Sequence, residues 1–320
     1  MRYLITGFSG FVSNHFVEHI SQVDPDYEIW GVDIREPSRQ YVAQNKLLHF
    51  CKMSLLDRNK LLSLCKEIRP ERVIHLASYS SVAYSWEHPV ECFLNNTNIF
   101  LNLVETLREL AIACRILSVG SSEGYGQVSS GEIPLYENKC PNPINPYAVA
   151  RVSQENISKV YSLGYGLPII CTRSFNHIGP DQPDAYVVSS FVRQAVEVSL
   201  GRRKVISCGK LEIVRDFIDV RDVVRAYHII LEKGNAGEVY NVCSGRGTLL
   251  EELLLMICRL TGINPAWIEE KSLIRPTENP IIVGDLSKLT KLGFVPLFIL
   301  EDSLKDLLSR WQKELIKSSM

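Results

Sequence analysis

Two side chains four residues apart, Tyr147 and Arg151 in Asn145-Pro146-Tyr147-Ala148-Val149-Ala150-Arg151, carry the first chemical signal in this chain. On a helix that spacing places both on one face. A free phenol titrates near pH ~10 and is a poor acid–base group at neutral pH. A fixed cation beside it favours the phenolate and makes the group useful for moving a proton. Upstream, Ser118-Val119-Gly120-Ser121-Ser122-Glu123-Gly124-Tyr125-Gly126 offers a hydroxyl at Ser121 and a carboxyl at Glu123. A serine hydroxyl can orient a substrate hydroxyl or carbonyl against the phenol. Ser121, Tyr147 and Arg151 together predict a proton shuttle, with Glu123 either a second acid–base group or a structural, orienting one. A lone tyrosine or serine is more often plain structure, so the reading rests on their order and on the elements that bear them.

The N-terminus carries a complementary signal. A strand at Arg2–Thr6 runs into Gly7-Phe8-Ser9-Gly10-Phe11-Val12-Ser13 and then into an amphipathic helix. The first glycine permits a tight turn. The second lets backbone N–H groups approach a pyrophosphate at the helix N-terminus, where the dipole favours negative charge. Ser13 stands where a third glycine is usual, so the helix must pack on the strand with a larger side chain. The second strand ends in Gly31-Val32-Asp33, about 20 residues past the turn, where a carboxylate can accept both ribose hydroxyls of an adenosine. Asp33 favours NAD(H) and repels a 2′-phosphate. Arg35 could partly offset that repulsion, so NADP(H) stays open. A nicotinamide dinucleotide would exchange hydride while Tyr147 moves the proton.

The elements needed to position these groups are legible. Short apolar runs at Arg2–Thr6, Glu28–Asp33, Arg72–Leu76, Arg115–Gly120 and Pro168–Arg173 read as strands, and Glu91–Leu110 and Tyr147–Leu163 as helices between them. Strands rich in Val, Ile and Leu on both faces predict a parallel sheet covered on both sides. The expected class is α/β, a Rossmann-type doubly wound parallel sheet with a smaller C-terminal α/β substrate-binding lobe. Ser121 then lies beyond a strand's carboxyl end, where ligands collect in open α/β sheets. Residues 1–175 are assigned to a dinucleotide-binding domain and 176–320 mainly to the lobe, with part of 214–243 a candidate to return to the sheet. The rhythm breaks at Tyr186–Leu200, Val214–Val220, Asp222–Glu232, Glu238–Cys243, Leu249–Thr261 and Asp302–Glu314.

Composition removes several function classes. A length of 320 residues and a hydrophobic share of 46% allow one large α/β domain with a substantial core and a smaller second one. A net charge of −1 gives no field for nucleic acid or an anionic membrane surface. No apolar run is long enough to span a bilayer, and the first residues already read as a strand rather than a signal peptide. The nine cysteines are scattered without CxxC pairing, which predicts reduced core thiols in a cytoplasmic protein and no metal site.

These residues resemble the extended short-chain dehydrogenase/reductases over essentially the whole chain. The supporting phrases are His75-Leu76-Ala77, Gly120-Ser121-Ser122-Glu123, Asn145-Pro146-Tyr147 and Arg173-Ser174-Phe175-Asn176-His177-Ile178-Gly179-Pro180. Further on come Val214-Arg215-Asp216-Phe217-Ile218-Asp219-Val220-Arg221-Asp222, Tyr240-Asn241-Val242-Cys243-Ser244-Gly245 and Arg275-Pro276-Thr277-Glu278. The pattern is similar in particular to the GDP-4-keto-6-deoxy-mannose reductase group, close relatives of the GDP-mannose 4,6-dehydratases. The resemblance implies catalytic roles for Ser121 and Tyr147, with Arg151 and Glu123 beside them. It implies cofactor contacts at Gly7, Gly10, Phe11, Val12, Asp33, Ser54, Leu55, Leu76, Ala77, Asn96, Tyr147 and Arg151. Ser121, Glu123 and Asn176 would meet a nucleotide-diphosphate sugar, and the guanidinium forks of Arg215 and Arg275 its diphosphate. A homodimer is also implied, through Glu91–Leu110 and Tyr147–Leu163 across a two-fold, although their apolar residues could equally be ordinary core.

The chain departs from that family at three cofactor-side positions: Arg151 replaces a lysine, Ser54 replaces an acid that holds the adenine, and Ser13 replaces a glycine. Arginine supplies the same charge but stays protonated, which puts a proton relay through it in doubt. Three readings therefore compete. The first is a reductase of a nucleotide-linked 4-keto-6-deoxy sugar, motivated by a compact Asn176–Ser190 region where the dehydratases carry a longer arginine-rich insertion. The second is a 4,6-dehydratase or C4-epimerase, which Glu123 keeps open. The third is a nucleotide-binding protein with degenerate catalysis.

Overall fold

The computed structural model describes residues 1–37 and 46–317. Its strands are β1 (Arg2–Thr6), β2 (Glu28–Asp33), β3 (Leu48–Lys52), β4 (Arg72–His75), β5 (Arg115–Ser121), β6 (Ile169–Ser174), β7 (Asn176–Ile178), β8 (Val205–Cys208), β9 (Val214–Asp219), β10 (Val239–Val242), β11 (Gly247–Leu249), β12 (Ala266–Glu269) and β13 (Ile281–Ile282). The helices are α1 (Phe11–Val23), α2 (Arg58–Ile68), α3 (Val82–Glu87), α4 (Pro89–Glu109), α5 (Pro146–Tyr165), α6 (Val187–Ser199), α7 (Val220–Lys233), α8 (Leu250–Thr261), α9 (Ser287–Thr290) and α10 (Leu300–Lys317).

Seven strands form one sheet in the order β10-β6-β5-β4-β1-β2-β3. Every pairing in it is parallel, so all carboxyl ends open on one edge. The strand side chains show why both faces must be covered. Tyr3 and Ile5 of β1 join a core with Phe16 and Ile20 of α1 and Val223, Tyr227 and Ile230 of α7. Leu4, one residue out of phase, joins the opposite core with Leu61 and Leu64 of α2 and Phe100, Leu103 and Leu107 of α4. The same alternation places Ile74, Leu117 and Ile170 on the first face and Val73, Ile116 and Ile169 on the second. Each such buried aliphatic contributes roughly 1.5–3 kcal/mol. The chain leaves β1 in one direction for β2 and β3 and returns on the other side as β4, which sets the topological switch point beside β1.

The C-terminal part is divided. β9 stands in a separate four-stranded sheet with β7, β11 and β13, and β8 pairs only with β12. Ile178, Val192, Ile206, Phe217, Leu253, Leu304 and Trp311 close a core of their own there, between α6, α8 and α10. By contrast, α7, β10, Leu289 and Phe294 pack into the core of the seven-stranded sheet. Within 214–243, then, only the part after β9 goes back to the large sheet.

The predicted strands and helices are present with ends shifted by a residue or two. β3 was not anticipated. Its sequence, Leu-His-Phe-Cys-Lys, has no continuous apolar run because it is an edge strand with Leu48 alone fully buried. Among the described residues no helix is long and apolar enough to cross a membrane.

Candidate functional site

The glycine turn sits at the carboxyl end of β1, directly beneath the segment that follows β4. Gly7 has φ +71°, and a Cβ there would lie 2.7 Å from Ala77 N, so the turn requires glycine on both conformational and steric grounds. Leu76 N donates to Thr6 O at 3.1 Å and Ala77 N to Thr6 Oγ1 at 3.4 Å, which fixes these two residues against the turn. Gly10 is the N-cap of α1, and no side chain caps this helix or places a negative charge in its first turn. The leading amides of Phe11 and Val12 thus begin a helix whose dipole is uncompensated. Ser13 is fully buried, and among the described residues its Oγ has no partner. A close-packed glycine cradle, an uncapped helix start and an orphaned hydroxyl fit a pyrophosphate.

Asp33 ends the neighbouring strand. Its Oδ2 accepts from Ser9 N and its Oδ1 from Arg35 N, each at 3.0 Å, so the carboxylate is held over the same turn. Ser54 Oγ accepts from Leu56 N at 3.2 Å, and Asn102 of α4 donates to Leu55 O at 3.0 Å, which secures the loop after β3. Asn96 is fully buried on α4. Its Oδ1 accepts from Tyr79 N at 2.8 Å and its Nδ2 donates to Tyr79 O at 3.1 Å, so its amide is spent on the loop beyond β4.

The residues expected to shuttle a proton meet where β5 ends and α5 begins. Asn145 caps α5 by accepting from Ala148 N at 2.8 Å, and Pro146 occupies the first turn, where its fixed φ suits a helix start. The other end of the Asn145 amide donates to Glu123 Oε2 at 2.8 Å, tying the turn after β5 to the helix that bears Tyr147. Ser121 Oγ accepts from Glu123 N at 3.2 Å, and its own proton stays available to a ligand. Arg151 Nε donates to the Tyr147 hydroxyl at 3.2 Å. Arg151 Nη1 donates to Val119 O at 3.1 Å and to Gln154 Oε1 at 2.7 Å.

Four ionisable side chains that feel the charge of this pair, His75, Cys92, Tyr186 and Tyr227, are uncharged at neutral pH. Burial, and then the charge of Arg151, pull the His75 imidazole down to about 3. Burial pushes the Cys92 thiol and the Tyr186 and Tyr227 phenols above their ordinary values.

A second charged group lies on the lobe side. Arg215 of β9 is buried, donates to Val214 O and Asn279 O at 2.9 Å, and meets Glu278 Oε1 at 2.5 Å. Burial works against the Arg215 charge, and Glu278 is the leading influence that sustains it. Arg275 Nη1 lies 3.8 Å from both Glu278 Oε1 and Glu123 Oε1. Glu278 therefore joins the two arginines, and Arg275 continues the chain to Glu123 and Asn145. Asp216 anchors β9 by accepting from Ser244 N and Oγ, Gly245 N and Gly284 N at 2.7–3.2 Å. Asn176 is exposed on β7, in register with Phe217 of β9, and no hydrogen bond places it in the Arg215 cluster. Glu278 and Gln154 are the residues the sequence reading gave no role. Each lies three residues after a singled-out arginine, and for Gln154 that is a helical-neighbour signal.

The chain matches the family described as GDP-mannose 4,6 dehydratase over residues 4–307. It belongs to that family. Members share the extended short-chain dehydrogenase/reductase fold, and the chain is accordingly an NAD(P)-dependent enzyme of that type. One relative is the GDP-6-deoxy-D-mannose reductase of Pseudomonas aeruginosa, 30% identical over 313 residues that cover 97% of each chain. The solved structure of RMD from Pseudomonas aeruginosa complexed with NADPH matches 98% of this chain and 99% of its own, with a TM-score of 0.85 and 30% identity. The UDP-glucose 4-epimerase of Thermus thermophilus in complex with NAD matches 98% and 99%, with a TM-score of 0.87 and 27% identity.

Proposed function

We propose that this family member is a reductase of a nucleotide-linked 4-keto-6-deoxy-hexose, with GDP-4-keto-6-deoxy-mannose or a near analogue as substrate. The observation that carries the reading is the 3.2 Å hydrogen bond from Arg151 Nε to the Tyr147 hydroxyl, set beside the Ser121–Glu123 turn. The likeness to the Pseudomonas reductase supports the substrate class. Gly7, Gly10, Phe11 and Val12 hold the pyrophosphate of the dinucleotide, Asp33 its adenosine ribose, and Ser54 and Leu55 its adenine. Leu76 and Ala77 line the same cleft, and Asn96 fixes its wall through Tyr79. The bound nicotinamide supplies the hydride for the sugar carbonyl. Tyr147 gives the proton to the carbonyl oxygen, Ser121 orients that oxygen, and Arg151 stabilises the phenolate left behind. Arg215 and Arg275 grip the diphosphate and Asn176 reaches the sugar nucleotide. Asp33 favours NAD(H) over NADP(H).

The test mixes protein, reduced cofactor and a GDP-4-keto-6-deoxy-hexose and follows the nicotinamide absorbance. Consumption that is no faster than in the Tyr147→Phe variant would refute the reductase reading. The second reading, a dehydratase or epimerase, is favoured by Glu123, whose carboxylate is held at 2.8 Å by Asn145 at the end of the Tyr147 helix. An oxidised cofactor that stays bound through purification would select it.

A second copy of the chain is the proposed partner for the outer side of α4 and α5. Val90, Phe93, Leu94 and Leu101 of α4 and Val149, Val160 and Leu163 of α5 are exposed apolar side chains. A monomeric mass in equilibrium sedimentation would overturn this. All nine cysteines are free, as a reducing cytoplasm would keep them.

A further inference from the structure

We infer that Gln154 is a positioning residue for the proton transfer: it holds Arg151 on the Tyr147 hydroxyl with a neutral acceptor, which leaves the guanidinium charge undivided. This rests on the role of Tyr147 given above. Arg151 is 5% exposed and Gln154 1% exposed, so water does not screen the pair. Every polar partner of Arg151 among the described residues is neutral: the Tyr147 hydroxyl, Val119 O and Gln154 Oε1. A buried cation is ordinarily paired with a carboxylate, because burying an unpaired charge is costly. Here His75 of β4, Cys92 of α4, Tyr186 at the start of α6 and Tyr227 of α7 also face the pair as uncharged groups. The full charge is thus directed to the phenol oxygen and to whatever binds beside it.

The orientation of the Gln154 amide follows from its other end. Nε2 donates to Ser118 Oγ at 2.8 Å and to Val119 O at 3.1 Å. Ser158 Oγ gives its one proton to Gln154 O at 2.9 Å and lies 3.0 Å from Ser118 Oγ, whose own proton serves that contact, completing a buried network along α5 and β5. With two acceptors behind its NH2 group, the amide must turn its oxygen to Arg151. Val119 O accepts from both side chains and locks their relative position. The guanidinium can serve this arrangement because its fork reaches Tyr147 with one nitrogen and Gln154 with another, which a lysine ammonium on this stem has no second arm to do. Arginine at this position is therefore matched to its surroundings rather than a sign of decay. A carboxylate in place of Gln154 would neutralise the cation and set its oxygens against Val119 O.

The experiment compares the parent with Gln154→Glu, Gln154→Met, Arg151→Lys and Tyr147→Phe as full-length holoenzymes, reading turnover, KM and pH profile. Both Gln154 variants are expected to lose about tenfold or more in kcat with KM for the sugar nucleotide little changed. Gln154→Glu also moves the pH profile of turnover upward, because a neutralised guanidinium favours the phenolate less. In the Arg151→Lys background, where no second guanidinium arm remains to be held, Gln154→Met should change kcat by less than about twofold, the sign of a shared pathway. A merely structural glutamine would lower melting temperature without moving the pH profile. The phenolate absorbance difference between each protein and its Tyr147→Phe counterpart, followed with pH, gives the same comparison without turnover. If Gln154→Met does not fold, Ser118→Ala carries the test, since it frees one of the two groups that orient the amide. Parental kcat and pH profile in folded Gln154→Met and Gln154→Glu, with Tyr147→Phe inactive, would overturn this inference alone. Full activity in Tyr147→Phe would instead remove the reading of Tyr147 on which it rests.

Discussion

Arg151 and Arg215 are both buried arginines, and their surroundings are opposite. Arg151 is held by a phenol, a carbonyl and an amide, all neutral. Arg215 is held by two carbonyls and the carboxylate of Glu278. One charge is left whole beside the tyrosine that gives up the proton in the proposed reaction. The other is already balanced, so an incoming anion must share it with a resident carboxylate. On the proposed roles, the difference teaches how a site can keep one cation for chemistry and another for binding. Partner type decides this more than depth, because both side chains are nearly excluded from water.

The largest expected effect comes from breaking the first arrangement. Arg151→Met removes the charge directed at Tyr147, and turnover with a GDP-4-keto-6-deoxy-hexose is expected to fall roughly 10²–10⁴-fold, the range for losing a positioned acid–base group. KM should change far less. Stopped-flow single turnovers at saturating substrate would show whether the loss lies in the chemical step. A loss confined to KM would mean that Arg151, like Arg215, serves binding, and the contrast between the two would disappear.

Arg215→Met should show the complementary split. A charge-assisted bond to a ligand contributes about 1.5–3 kcal/mol, which corresponds to a KM rise of about ten- to a hundredfold with kcat largely kept. Glu278 would also lose its buried partner. A lower melting temperature, restored in part by adding Glu278→Gln, would report that cost separately from the loss of binding.

Part of this contrast is legible in the sequence. The period-2 strands buried on both faces, the glycine turn and the i, i+4 spacing of Tyr147 and Arg151 are local patterns, and local geometry reproduces them. The edge strand β3 escaped because an edge needs no apolar run on both faces. Glu278 sits 63 residues from Arg215 along the chain, and only the packing of β13 against β9 brings the segment before β13 to it. That no carboxylate among the described residues pairs with Arg151 could not be read either. It is a statement about every element packed around it, and Cys92, Tyr186 and Tyr227 come from three different helices or their starts. Gln154 was within reach, because a residue three positions after an arginine on a helix is its neighbour.

Asp33 offers a smaller test of the same idea, with the charge sign reversed. Its carboxylate is committed to two backbone N–H groups at 3.0 Å, a neutral setting like that of Arg151, so its charge should be fully felt by a ligand. Asp33→Asn is expected to raise KM for NADH and lower it for NADPH, moving the ratio of their kcat/KM values about tenfold toward NADPH. Parallel titrations with the two cofactors at one ionic strength would measure it. An unchanged ratio would show that the carboxylate does not face the adenosine ribose.

Arg275 provides the smallest and most discriminating effect, because it lies between the two extremes. Its guanidinium is 38% exposed and stands 3.8 Å from both Glu278 and Glu123, so water screens it and no bond is close. Arg275→Met should raise KM for the sugar nucleotide only about threefold to tenfold, less than Arg215→Met, since an exposed charge is worth less than a buried one. Its salt dependence should also differ. Raising the ionic strength should erode the contribution of Arg275 and leave that of Arg215 nearly intact, so the KM ratio between Arg275→Met and parent should shrink as salt rises. If the two arginines respond to salt alike, the guanidinium of Arg215 is not sheltered when ligand is bound, and its carboxylate pairing cannot be the feature that separates it from Arg151.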